Sequence, residues 1–241
     1  MAESDPKSTP RPECWDYWED GAHDPPCNMA ADEALLLTAT RRGRPLLRRY
    51  AWDRPAVSLG YVQRWEAAPA GYAAVRRPTG GGIVYHDFDF TYSIAFPAGH
   101  WLTGLDRITS YDWINRSVQH GLCSLGLAVE LAQVEIPHSV ERATMVCFTN
   151  PTRYDLLLDG RKIAGSAQRR TADGLLHQGS LHFNGPLPFP RDALARALEG
   201  GFAAVMRISL AGGFRPDAEL SALIDRLVRE KYATEAWNHL R

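Results

Sequence analysis

The run Tyr154-Asp155-Leu156-Leu157-Leu158-Asp159-Gly160-Arg161-Lys162-Ile163-Ala164-Gly165-Ser166-Ala167 constrains the fold more than any other stretch. Two strand-like segments flank Asp159-Gly160, a dipeptide that type I′ turns favour because both central residues take positive φ. A hairpin is therefore predicted, which commits this part of the chain to antiparallel sheet. A further strand is predicted at 175–183 (LLHQGSLHF).

Other elements follow from periodicity. Alternating aromatic and acidic residues in CWDYWEDG predict a strand from about Trp15. Asn28 is a candidate N-cap, with Asp32 and Glu33 in the early turns where the helix dipole favours anions. Ala30, Ala34, Leu35 and Leu37 give that helix an apolar face. Residues 46–52 and 56–61 read as strands with a turn through Asp53-Arg54-Pro55, and 73–97 as strand, glycine loop, strand. Ile108, Tyr111, Ile114, Val118, Leu122 and Leu125 recur in steps of three and four, an amphipathic helix that Gly126 is placed to stop. A strand is expected at 128–134 and a loop at 135–150. Two helices close the chain, from about Arg191 and after Pro216, the second with Leu220, Leu223, Ile224, Leu227 and Val228 on one face. Without strict βαβ alternation the class is α+β, a mixed, largely antiparallel central sheet flanked by helices. Residues 1–14 are polar and proline-rich at their start and are expected to be a disordered tail, leaving 15–241 as a single domain.

Composition mainly excludes. A formal net charge of −1 gives no global field toward nucleic acid or a membrane surface. No apolar run approaches the ~20 residues that span a bilayer. Four cysteines without a C-x-x-C pair speak against a zinc ribbon or a disulfide scaffold, and a reducing cytoplasm is the expected location. The most basic stretch, residues 41–49 (RRGRPLLRR), is either a solvated helix end and loop or a docking surface for an acidic partner.

Three constellations could carry chemistry. In Arg76-Arg77-Pro78-Thr79-Gly80-Gly81-Gly82-Ile83-Val84-Tyr85-His86, consecutive glycines allow close backbone approach to a ligand, or simply a tight turn. The spacing is neither a Walker A loop nor a dinucleotide fingerprint. Lys162, one of three lysines in the chain, sits among apolar and small residues, where an ammonium could stabilise a neighbouring anion; a surface lysine is the plainer alternative. Cys147 lies in Val146-Cys147-Phe148-Thr149-Asn150-Pro151; a free thiol titrates near ~8.5 and becomes a competent nucleophile beside a cation. Most free cysteines are packing residues, and Cys14, Cys27 and Cys123 are left as such. His86 and His177 lack a third donor at metal-ligand spacing, so no metal is expected.

Together, in this order, the constellations resemble the lipoate–protein ligase and lipoyl/octanoyl-transferase superfamily, whose fold is related to biotin–protein ligase. RRPTGGGIVYH (76–86), DGRKIAGSAQRR (159–170) and LLHQGSL (175–181) carry the likeness, supported by NMAADEALL (28–36), SLGYVQ (58–63) and KYATEAWNHLR (231–241). Within it, VCFTNPTRYDLLLDGRKIAGSAQ (146–168) resembles the cysteine-dependent octanoyltransferases, whereas Gly81-Gly82-Ile83 is also a ligase-like spelling. The resemblance implies Cys147 as nucleophile with Lys162 as its catalytic partner, and no cofactor. It further implies substrate binding by Arg76, Arg77, Thr79, Gly80, Gly81, Gly82, His86, Gly165, Ser166, Ala167 and His177. The implied donor is octanoyl-acyl carrier protein. The implied acceptors are lipoyl domains, of glycine cleavage H protein or a 2-oxoacid dehydrogenase E2. Arg76, Arg77 and the 41–49 patch would steer these acidic domains, and strand 83–96 would supply the acyl slot. Alternatives are an ATP-dependent lipoate–protein ligase, an amidotransferase between lipoyl proteins, and a non-catalytic acyl or lipoyl-domain binder.

Overall fold

Parallel pairing at its very start extends the first described strand ahead of the aromatic alternation. Strand β1 (Glu13–His23) takes Glu13 and Cys14 into the sheet, so the expected tail boundary falls two residues too late. The computed structural model describes residues 10–133 and 151–241. The expected loop at 135–150, with Cys147 in it, lies outside the described residues.

Helix α1 (Pro25–Leu37) is capped by Asp24, whose carboxylate accepts the Cys27 N–H at 2.8 Å, with Pro25 in the first turn. Asn28 is therefore not the cap. It is buried inside the helix, and its amide donates to the carbonyls of His23 and Ala51. A short α2 (Ala39–Arg42) leads to β2 (Leu46–Trp52) and β3 (Ala56–Leu59). These two strands do not pair with each other, because the turn through Pro55 sends β3 into a separate small sheet with β4 (Ala73–Arg76) and β5 (Val84–Tyr85). The expected strand 83–96 is likewise broken: residues 86–89 separate β5 from β6 (Phe90–Pro97).

Helix α3 (Arg107–Ser124) starts at the Asp106 cap, and Gly126 turns the chain at φ 84°, as its spacing predicts. Strand β7 (Val129–Leu131) follows, then β8 (Leu156–Leu158) and β9 (Arg161–Thr171). Asp159 and Gly160 both have positive φ, 50° and 74°, which is the predicted hairpin turn. Strand β10 (Gly174–Leu181), α4 (Arg191–Met206), β11 (Ile208–Ala211), α5 (Ala218–Leu227) and α6 (Glu235–Asn238) complete the chain. Strand β11 is an addition to the expected elements, laid parallel to β1 at the sheet edge.

The large sheet runs β11-β1-β2-β6-β10-β9-β8-β7. Its pairings with β1 are parallel and the rest antiparallel, so the architecture is a mixed, largely antiparallel sheet flanked by helices. Alternation sorts the strand side chains onto two faces. Tyr92, Ile94 and Phe96 pack in one core with Ile114, Val118, Leu122, Leu198 and Phe202 of α3 and α4. Leu46, Tyr50 and Ala95 face the other way, into a core with Met29, Ala34 and Leu35 of α1 and Leu220 and Ile224 of α5. Among the described residues no helix is long and apolar enough to cross a membrane.

Candidate active site

A pocket opens on the α1 face, between the two sheets. About 420 Å³ of space, part of it open solvent, is lined by Met29, Tyr50, Trp52, Val84, Gly179 and neighbours, with little polar surface exposed. Of the residues singled out in the sequence, Arg77, Gly81, His86, Gly165, Ser166 and Ala167 line it.

The glycine loop is held from behind by arginine. Arg77 donates to the carbonyls of Gly80 at 2.6 Å, Gly82 at 2.7 Å and Ser58 at 2.8 Å. Gly81 has φ 91°, and Gly60 lies so close that a Cβ there would sit 2.0 Å from the Gly81 carbonyl oxygen. Two chain segments thus meet at a spacing only glycine permits. Arg76 is fully buried and donates to the carbonyls of Gln63 (2.6 Å), Gly60 and Tyr61 (both 3.1 Å) and Asn238 (2.7 Å). It ties the C-terminal segment under the small sheet. Both guanidinium groups are buried against carbonyls, so neither presents a charged surface to a partner. The 41–49 patch is also dispersed: Arg41 pairs with Glu219, Arg44 with Asp16, Arg49 with Glu19 and Asp192, and Arg48 is buried.

His86 forms one wall. Its Nδ1 lies 2.7 Å from Asp89 Oδ2 and its Nε2 2.9 Å from Ser58 Oγ, while the ring stacks on Trp52 at 3.9 Å. A carboxylate beside Nδ1 fixes the ring proton there and aims Nε2 at Ser58. Burial alone would push the Asp89 carboxyl up. The His86 ring and hydrogen bonds from Thr91 and Ser180 outweigh it and hold the pKa below the usual carboxylate value.

The floor rests on a buried network that the sequence did not reveal. Asp32 accepts from Arg48 (2.8 Å), Ser93 (2.6 Å), Tyr50 (3.0 Å) and Gln178 (2.7 Å). Gln178 lines the pocket, and its carbonyl oxygen accepts from Thr79 Oγ1 at 2.6 Å. Thr79 therefore reaches the site through Gln178 rather than by lining it. A buried carboxylate so placed needs every one of these donors. Its trace in the sequence is the Asp32-Glu33 pair within an otherwise apolar helix.

His177 goes to the opposite face. It stacks on Tyr92 and packs near Tyr111 of α3, with Nδ1 3.3 Å from the Gln168 amide, and does not line the pocket. Complete burial drives its pKa down to about 3, so the ring is neutral. Its sheet neighbour Gln178 occupies the place the sequence suggested for a histidine.

Lys162 is buried, and its Nζ lies 2.7 Å from Asp155 Oδ2, which also accepts from the Thr152 N–H and hydroxyl. Beyond Ala164, β8 no longer covers β9, so among the described residues the outer edge of Gly165–Ala167 has no strand partner. Among the described residues, β9 thus carries a buried lysine paired with Asp155, a pocket-lining segment at Gly165–Ala167 and backbone without a strand partner, a combination suited to acyl chemistry.

Residues 24–208 match the family model described as lipoyl protein ligase A/B catalytic domain. The octanoyltransferase LipM of Brevibacillus brevis is 30% identical, over 94% of this chain and 99% of its own. That of Moorella thermoacetica is 37% identical over 79% of this chain and 75% of its own. Among solved structures, a putative lipoate protein ligase from T. acidophilum with bound lipoic acid superposes with TM-score 0.80 at 22% identity, covering 95% and 99% of the two chains. Lipoate-protein ligase A bound with ATP gives TM-score 0.78 at 21% identity, covering 93% and 98%. These structures establish the shared fold.

Proposed function

The chain belongs to the lipoyl protein ligase A/B catalytic-domain family, and from that premise we propose that Cys147 carries an octanoyl group from an acyl-carrier-protein thioester to a lipoyl-domain lysine. Its octanoyltransferase relatives make it an acyltransferase of protein lipoylation. The observation that carries the finer reading is Lys162: a buried ammonium, oriented by Asp155, three residues before the pocket-lining Gly165.

The Cys147 thiolate attacks the donor thioester carbonyl, and the carrier thiol leaves with a proton. The lysine ε-amine of the acceptor then attacks the acyl-enzyme; the amide forms, and the amine's proton is released as the thiolate is regenerated. A cation near the sulfur favours the thiolate and makes attack competent at neutral pH. Backbone N–H groups on the edge of β9 that no described strand covers would receive the developing oxyanion. The octanoyl chain would enter the apolar pocket, where burial of each CH₂ contributes ~0.8 kcal/mol. Acceptors would be the lipoyl domains of glycine cleavage H protein or a 2-oxoacid dehydrogenase E2.

The test is intact mass after incubation with octanoyl-carrier protein in the absence of ATP. An octanoyl adduct is expected, lost in Cys147→Ala. An adduct that forms only with free octanoate and ATP would replace this reading with a ligase. Lys162→Ala should slow adduct formation by about tenfold or more, because the thiolate fraction at neutral pH falls when the neighbouring cation is lost.

A further inference from the structure

A second cleft lies at the other end of β2. It encloses about 500 Å³, open solvent included, between α2, the start of β1 and the segment ahead of α5. Asp16 at its edge pairs in register with Leu46, whereas Tyr50 and Trp52, further along β2, line the acyl pocket. At ~3.3 Å per residue the two sites are roughly 13–20 Å apart. The cleft is therefore separate from the acyl site, and its chemistry is independent of the acyl-transfer reading.

Four arginines, Arg41, Arg42, Arg44 and Arg215, face the cleft against two carboxylates, Asp16 and Asp217. Four of these six charges are already committed. Arg44 pairs with Asp16 at 2.9 Å, Arg41 pairs with Glu219, and Asp217 caps α5 by accepting the Leu220 N–H. Among the described residues, Arg42 and Arg215 have no ion pair. Arg42 donates through Nη1 to Leu35 O and Thr38 Oγ1, but its Nε and Nη2 are buried without a hydrogen-bond partner. Burial lowers its pKa to about 10; Asp16 partly opposes that and Arg41 adds to it. A desolvated guanidinium with orphaned donors is costly unless an anion completes it.

We propose that this cleft binds a phosphate-type oxyanion, gripped by Arg42 and Arg215 with Arg44 at its rim. The planar fork of arginine matches tetrahedral oxyanions in paired hydrogen bonds. Phe214 and Leu220 offer an apolar wall, so the anion can be a phosphoryl group on a small molecule as well as the free ion.

Thermal unfolding of the full chain in phosphate-free buffer tests this, with inorganic phosphate, phenyl phosphate and ionic-strength-matched sodium chloride as additions. A saturable rise in Tm beyond the chloride control is expected, because ligand binding to the folded state alone stabilises it. Arg42→Gln and Arg215→Ala should each weaken apparent affinity by about tenfold. If Arg42→Gln fails to fold, the exposed Arg215→Ala and Arg44→Ala carry the test. Tighter binding of phenyl phosphate identifies a phosphorylated small molecule, and equal or weaker binding identifies the free ion. A rise no larger than with chloride, or saturable binding unchanged in Arg215→Ala, overturns the proposal.

Discussion

On β6, Ile94 points into an apolar core with α3 and α4, while its neighbour Ser93 points to α1 and donates to Asp32 at 2.6 Å. That one-residue step separates two kinds of interior. On the far face the helices approach until no methyl fits: a Cβ on Gly201 would lie 2.1 Å from the Ser117 carbonyl oxygen, and one on Gly121 2.3 Å from that of Ala197. On the near face Arg48 and Asp32 are fully buried as a charged pair, joined by Asp20, Asn28, Tyr50 and Gln178. Steric contact organises one side and electrostatics the other. The second runs directly into the acyl pocket through Gln178.

The largest expected effect comes from Asp32→Ala, which leaves the buried Arg48 charge with Asp20 alone as carboxylate partner among the described residues and removes the acceptor of Ser93, Tyr50 and Gln178. A loss of about 3–5 kcal/mol is expected in urea titration, with octanoyl transfer falling as well. Asp32→Leu combined with Arg48→Met should recover much of the stability without the activity, because the Gln178 amide stays unanchored. A double variant as unstable as the single one would mean that charge is not what this face depends on.

A smaller loss, about 1–3 kcal/mol, is expected for Gly201→Ala, which must push α3 and α4 apart. Its folded fraction should retain wild-type kcat. If transfer falls as far as in Asp32→Ala, the two faces are not functionally separate.

The smallest effect sharpens the comparison through His177, a titratable ring on the apolar side. Its folded pKa of about 3 lies below the unfolded value of ~6.5, so the unfolded chain takes up the proton first. Stability should therefore be unaffected above pH ~6.5 and fall on acidification toward pH ~3. By pH 5 the loss is roughly 2 kcal/mol. His177→Phe should flatten this part of the profile; an unchanged slope between pH 7 and 5 would assign the loss to other groups.

Much of the scaffold was legible from the chain. The Asp159-Gly160 turn, the Asp106-capped helix and the α5 face were all encoded within a few residues of themselves. Where the structure departs from local expectation, the cause is a partner distant in sequence. Asn28 has the chemistry of an N-cap, but Asp24 and Pro25 nucleate the helix earlier and leave Asn28 to bind backbone across the sheet. Arg76 and Arg77 look like surface charge, yet their partners lie at Gly60, Asn238 and Ser58, far away in sequence or in another strand.

Sequence by itself determined the turns, the periodic helices, the family motifs and the α+β class, because backbone preference and hydrophobic period act over short distances. Tertiary structure alone decided which polar groups face the pocket. It turned Gln178 inward and His177 away, drew Asp32 to Arg48, and set Asp155 against Lys162. What a polar or charged side chain does depends on the partners that replace its water, and only the packed sheet brings those partners together.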